Sequence, residues 1–279
     1  MIIKNNISGT YINKLIVFIK HLVFTHIAYL FNATVRAQLK NYKHIPIIII
    51  SFNQLYYLEK LVTFLLEKDY RNIVIIDNKS TYKPLLQYFK TIEHKVTLYR
   101  LKTNNGHLSF WREEELVEKY TKGYYVVTDP DVVPIKDCPE DFILQFRKLL
   151  DKAWNITKVG FSLKIDNIPD VNPNKSKIIS WESKYWTTKI HNLAFKAEID
   201  TTFALYRPRY KYQLKDFTKA WRTEYPLQAI HGGWYIDINH LTEEQEYYIQ
   251  TANQSASWNI NAKGELVNDV HKPLYKDES

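Results

Sequence analysis

Four short apolar runs, spaced through the first half of the chain, constrain the fold more than any other feature. "IPIIIISFN" (residues 45–53) is a continuous β-branched run that stops in small polar residues. That pattern belongs to a strand buried on both faces of a parallel sheet. The next segment, "LYYLEKLVTFLLEK", spaces its apolar residues for a helix, and "NIVIIDNKS" returns to a buried strand with a polar end. "KPLLQYFKTI" predicts a second helix, "KVTLYRLKTNNG" a third strand, "FWREEELVEKY" a third helix and "YYVVTDPDVVP" a fourth strand. A βαβαβαβ series with short, right-handed crossovers gives a doubly wound sheet. Ligands of such sheets bind beyond the carboxyl ends of the strands. Each polar cluster falls at such an end: Ser51 and Asn53, Asp77 and Asn78, Asn104 and Asn105, Asp129 and Asp131.

The rest of the chain is less regular. "KVGFSLKID" and "TTFALYR" read as strands, "WESKYWTTKI" as a helix or loop, and "LTEEQEYYIQTA" as a helix with an acidic first turn. "KPLYKDES" reads as a frayed tail. At the other end, "YINKLIVFIKHLVFTHIAYLF" (residues 11–31) is strongly apolar, but Lys14, Lys20, His21 and His26 interrupt it, so it is not an unbroken span. Two readings stand side by side: a helix lying in a membrane interface, or one or two helices packed on the catalytic domain or a second subunit. The stretch is too long and too broken for a cleaved signal peptide.

With 279 residues, 45% of them hydrophobic, the chain can bury a substantial core. The single cysteine, Cys138, rules out an internal disulfide framework and suits a reducing cytoplasm. Lys and Arg outnumber Asp and Glu by 38 to 30, for a net charge of +8, which favours phosphorylated ligands or anionic lipid over neutral partners. Nucleic acid is not expected, because the basic residues are scattered and no recognition motif accompanies them. Neither a GxxxxGK[ST] loop nor a GxGxxG turn is present, and seven glycines leave little material for either.

Asp129 and Asp131 therefore carry the argument. Two carboxylates at i and i+2, held by Pro130 at a strand end, can meet on a hard divalent cation, Mn²⁺ or Mg²⁺, that also touches a diphosphate. The competing account is a surface turn that merely ends a strand. Position at the ligand edge of a parallel series favours the metal and diphosphate.

With these residues in place, segment 45–135 resembles the nucleotide-binding half of a GT-A glycosyltransferase of the family 2 type. "IIIISFNQLYYLEKLVTFLL" is similar to the opening strand and helix of that family, "NIVIIDNKSTYKPLL" to its second strand, "LKTNNGH" to its asparagine-glycine turn and "VVTDPDVVP" to its DxD motif. The resemblance implies an α/β, GT-A Rossmann-like fold: a mainly parallel central sheet flanked by helices, with an N-terminal helical segment. It implies a division into an amphipathic segment 1–43, a nucleotide-sugar half 44–135, an acceptor half 136–270 and a tail 271–279. It implies that Asp77 contacts base or ribose, that Ser51 and Asn53 line the nucleotide pocket, and that Asn105 and Gly106 approach the sugar-diphosphate. Asp129 and Asp131 would reach the ribose and the metal. The second strand ends in "DNKST" where the family often has two acidic residues, which departs from its ribose contact.

In the second half, "LQAIHGGWYIDINH" sets His231 before two glycines, which points to close backbone approach. By the same resemblance His231 is a third metal ligand, against the alternative of a hydrogen-bonded structural histidine. Inverting transfer needs a carboxylate to deprotonate the acceptor hydroxyl. Asp200 is the first choice and Glu182 the second, with Glu198 and Asp237 behind them; a retaining enzyme needs no such base. Trp181, Trp186 and Trp234 are candidates for stacking on an acceptor sugar, against ordinary packing. The expected activity is metal-dependent transfer of a hexose-type sugar from a nucleotide diphosphate sugar, UDP-sugar favoured, to a glycan or lipid-linked acceptor in surface polysaccharide synthesis. The expected location is the cytoplasm, peripherally at the inner face of the membrane. The rivals are a nucleotidyltransferase, which lacks its Gly-rich loop here, and a non-catalytic carbohydrate-binding protein on the same fold.

Overall fold

The computed structural model describes residues 5–216, 218–253, 260–261 and 264–267, so the tail lies outside the described residues. A long helix α1 (Asn5–Phe31) leads into α2 (Ala33–Lys40), whose start is capped by Asn32. The alternating series then follows: β1 (Ile47–Ser51), α3 (Tyr56–Glu67), β2 (Ile73–Asp77), α4 (Lys83–Ile92), β3 (Thr97–Arg100), α5 (Ser109–Arg112), α6 (Glu114–Tyr120) and β4 (Tyr125–Thr128). Strand order 3-2-1-4 is parallel throughout, as the buried runs predict.

Side chains along these strands alternate between two cores. Ile47, Ile49, Ile73, Ile75 and Val126 pack with Leu58, Leu61 and Leu65 of α3 and Leu85 and Phe89 of α4. Ile48, Ile50, Val74, Ile76 and Val127 face the opposite way, against Phe110, Leu116 and Val117 of α5 and α6. A helix stripe on each face explains why β1 and β2 have no polar position until their last residue. Each such isoleucine contributes about 1.5–3 kcal/mol. β3 is the sheet edge and is half exposed, which its mixed composition reflects. The single third helix expected at 110–120 is two pieces broken at Glu113.

The second half extends the sheet in mixed order. Its elements are β5 (Val132–Pro134), α7 (Phe142–Lys152), β6 (Lys158–Gly160), β7 (Ser162–Leu163), α8 (Lys175–Ser183), β8 (Lys189–His191), β9 (Ala194–Lys196), β10 (Ala204–Tyr206), β11 (Ala220–Thr223), β12 (Gln228–His231) and α9 (Glu243–Thr251). The large sheet runs β3-β2-β1-β4-β10-β6-β11-β9-β8, with β10 antiparallel to β4 and β6. The fourth run is not one strand: β4 and β5 belong to different sheets and Asp129-Pro130-Asp131 is the corner between them. β5 pairs with β12 and β12 with β7 in a second, three-stranded sheet.

Candidate active site

The carboxyl ends of β1, β2 and β3 are level, with Ser51 opposite Asp77 and Asp77 opposite Arg100. Chain order reverses between β1 and β4, which opens the crevice where such sheets take ligands. Asp129 and Asp131 stand on the β4 side of it.

The small sheet explains what reaches them. Register sets His231 opposite Val132, so β12 delivers its last residue beside Asp131. The Asp131 Oδ2 atom accepts the Gly233 N–H at 2.9 Å and lies 3.5 Å from His231 Nδ1, while its main-chain carbonyl accepts the Gly232 N–H at 2.7 Å. Both glycines have reasons for being glycine. A Cβ on Gly232 would sit 2.3 Å from the Tyr57 ring, and one on Gly233 would sit 3.2 Å from the His231 ring and 3.4 Å from Asp131. The His231 ring stacks on Trp234 at 4.8 Å. Its Nδ1 is buried and makes no hydrogen bond among the described residues.

Asp129 accepts a hydrogen bond from the Thr201 hydroxyl at 2.9 Å, an alignment set by β10 running antiparallel to β4. Burial, then repulsion from Asp131 and Asp200, pushes the Asp129 carboxyl well above the usual range, with Thr201 opposing. The two like charges are thus an electrostatic load that a cation would relieve. Among the described residues no three His, Cys, Asp or Glu side chains converge closely enough to hold an ion by themselves. Carboxylate oxygens and an imidazole nitrogen are donor types that Mn²⁺ accepts, so Asp129, Asp131 and His231 are the residues here that could hold one.

On the β1–β2 side the expected contacts are spoken for. Asp77 is fully buried, accepting the Ser80 N–H at 3.0 Å and the Arg100 Nε–H at 2.9 Å. Asn53, at a positive φ of 47°, accepts from the amides of Thr81 and Tyr82 and donates to Thr251. Both therefore hold the loops together in this conformation and do not line an open pocket. Ser51 keeps a buried hydroxyl with no hydrogen bond among the described residues. The asparagine turn is tied down by Asn78, which accepts the Asn105 N–H at 2.8 Å and donates to the Gly106 carbonyl at 3.0 Å. Asn105 also donates to Glu113, and Gly106 has φ 71°, which favours glycine.

The candidate bases separate cleanly. Asp200 is half-buried, one residue from the threonine that holds Asp129, and its charge acts on Asp129. Below it Lys158 is buried on β6; burial lowers its ammonium to about 8 against the opposing pull of Asp200. Glu182 is 2% exposed and locked in an ion pair with Arg222, whose guanidinium also donates to the Glu198 carbonyl and covers the Tyr185 ring. Burial raises its carboxyl despite Arg222 and His231. A carboxylate so enclosed cannot receive a proton from an acceptor entering the cleft, so Glu182 is a structural ion-pair partner. Asp237 bonds His240 at 2.8 Å and the Asn239 amide at 3.0 Å.

The tryptophans divide in the same way. Trp234 is 2% exposed and backs His231, which leaves it no face for a sugar. Trp181 is half-buried in a small cluster with Ile260 and Leu266, and Trp186 packs on Phe195. Sequence reasoning missed Thr201 and Arg100, which hold the expected residues, and it named Asn78 at the strand end without its role in tying down the asparagine turn. It also missed Tyr248 of α9, which the fold brings near Asp129 and Asp131. Only Asn78, adjacent to Asp77 at a strand end, carried a local signal.

Comparison with known proteins places the chain in a family. The family model described as Glycosyl transferase family 2 matches residues 47–214, which stops before β12 and α9. No curated protein sequence matches the chain. Among solved structures, the mannosyltransferase PcManGT from Pyrobaculum calidifontis, in complex with GDP-Man and Mn²⁺, is 13% identical over 87% of this chain and 72% of its own, with a TM-score of 0.45. TarS 1-349 from S. aureus is 14% identical over 74% of this chain and 68% of its own, TM-score 0.42. Glucosyl-3-phosphoglycerate synthase from Mycobacterium tuberculosis is 10% identical over 63% and 60%, TM-score 0.35.

Proposed function

Since the chain belongs to glycosyl transferase family 2, we propose that it moves a hexose-type sugar from a nucleotide diphosphate sugar, UDP-sugar in first place, to a glycan or lipid-linked acceptor of a surface polysaccharide. The observation that carries this reading is the meeting of Asp131, His231 and the Gly233 amide beside Asp129, at the crevice between β1 and β4. Asp131 and His231, with Asp129, would hold Mn²⁺ or Mg²⁺. When bound, such an ion stabilises the charge that develops on the departing diphosphate.

The chain's own groups do the remainder. The Gly233 N–H fixes the Asp131 carboxylate, Thr201 fixes Asp129, and Trp234 fixes the plane of His231. Asn105, Gly106 and Ser51 border the place for the sugar-diphosphate. For an inverting reaction Asp200 receives the acceptor proton, since it is half-buried next to this cluster while Glu182 is enclosed. Trp181 and Trp186 remain the aromatic candidates for the acceptor. α1 would lie on the cytoplasmic face of a membrane where lipid-linked acceptors are assembled. Among the described residues no helix is long and apolar enough to cross one.

Calorimetric titration with UDP and GDP, with and without Mn²⁺, tests the site. His231→Ala should weaken the metal-dependent part of binding by about 10–100-fold, the usual effect of disturbing a metal's ligands. Equal affinity in the variant removes His231 from the site.

A further inference from the structure

Helix α9 lies outside the family match and packs on the loops that follow β1 and β2. Both Glu244 carboxylate oxygens accept the Tyr56 N–H, at 3.2 and 3.1 Å, at the start of α3, which has no side-chain cap of its own. Tyr247 donates to the Thr81 hydroxyl at 3.0 Å and packs on the Tyr82 ring at 5.2 Å. Thr251 accepts from Asn53 at 2.9 Å, and the Tyr248 ring lies 6.4 Å from that of Phe52. Burial, then the charges of Asp131 and Asp129, push the Tyr248 hydroxyl upward.

These contacts cover the groups a nucleotide would need. Asp77 and Asn53 are both fully buried, and Asp131 is 5% exposed. Asn53, whose side-chain amide donates to Thr251 of α9, is engaged while the helix occupies these loops. The attachment, however, is of a reversible kind. No described residue of α9 is fully buried; its hydrogen bonds to the body are side-chain contacts that water can replace, and its apolar attachment is made by half-buried Tyr247, Tyr248 and Ile249. The helix also caps its own start, through the reciprocal Thr242 and Gln245 bonds.

We propose that α9 is a displaceable latch on the donor pocket, pinned by Glu244 on α3 and closed over the loops after β1 and β2 through Tyr247 and Thr251 until a nucleotide sugar takes its place. This rests on the glycosyltransferase reading for the identity of the ligand, but not for the opening of the helix. Donor entry and latch release are then one event, and weakening the pin raises apparent donor affinity by raising the open fraction.

Hydrogen exchange on the full chain tests both halves. Without nucleotide, residues 243–251 should exchange well ahead of β1, and Glu244→Ala should speed them by about two- to tenfold, the range for losing a carboxylate at a helix start, with β1 and β2 unchanged. If that variant disturbs α3, Tyr247→Phe, which loses only the Thr81 bond, should give the same acceleration. Equal protection of α9 and β1, or no response to either variant, overturns the latch. With Mn²⁺ and UDP or GDP added, bound protein should lose protection in 243–251, and Glu244→Ala should bind more tightly. Protection that holds or grows on binding makes α9 a fixed wall and also overturns the proposal. If neither protein binds any nucleotide, the glycosyltransferase reading fails, and the latch stands or falls on the nucleotide-free exchange.

Discussion

Asp129 shows how function and stability pull against each other at a single residue. Its carboxyl is held well above the normal range by burial and by Asp131 and Asp200. A carboxyl raised in the folded state favours folding while it is protonated, and that contribution is lost as pH rises through the folded-state value. Asp129→Asn has nothing to lose in that window and still accepts from Thr201. It should match the native protein at low pH and exceed it progressively as pH rises, while losing metal-dependent donor binding. Denaturant midpoints across the pH range check this, and an unchanged difference contradicts it. Glu182 makes the opposite prediction. Removing one partner of a buried ion pair costs about 3–5 kcal/mol, so Glu182→Ala should lower the unfolding midpoint sharply because it strands Arg222. A Glu182→Ala protein of native stability but no turnover would restore it as the base.

Legibility follows the range of the interaction that decides each element. β1, β2 and β4 were readable because strands buried on both faces need unbroken β-branched runs, and α3 because Leu58, Leu61 and Leu65 share one stripe. The three-stranded sheet was not readable: β5, β7 and β12 are two to four residues long and their pairing depends on partners far along the chain. The resemblance pointed to His231 as a metal ligand, but the β5–β12 register that sets it 3.5 Å from Asp131 was not readable. Asn53 and Asp77 were located correctly at strand ends, yet their partners Thr81, Tyr82 and Arg100 are choices of loop geometry that no local pattern encodes. Trp234 was misassigned for a related reason, since an indole ring reads the same whether it faces a cleft or backs a histidine. The register claim has its own test. Gly232→Ala places a methyl 2.3 Å from the Tyr57 ring, so β12 must shift, with an expected loss of about 1–3 kcal/mol and a fall in Mn²⁺ affinity. Wild-type metal affinity in a folded variant would separate β12 from the site.

At the scale of the molecule, α1 and the overall charge act together. Ile12, Leu15, Val17, Ile19, Leu30 and Phe31 are each about half exposed or more, a larger apolar surface than a lone soluble helix ordinarily presents. The end of α1 is anchored to the body by the Tyr29–Tyr124 hydroxyl contact at 3.0 Å. With a net charge of +8, the chain should sediment with vesicles containing phosphatidylglycerol more than with neutral ones, and removing residues 1–22 should abolish that binding while the remaining domain keeps its cooperative unfolding transition. Equal recovery with and without the segment would favour packing on another subunit. The central claim is the metal-dependent nucleotide-sugar site at the corner between β4 and β5. Its most direct test is release of nucleotide diphosphate from a panel of UDP-, GDP- and dTDP-sugars, with Mn²⁺ or with chelator, by the native chain and by Asp131→Ala. The account predicts turnover of one donor class that requires Mn²⁺ and is lost in Asp131→Ala. Failure of every donor to bind or turn over, or turnover indifferent to Asp131, would contradict it.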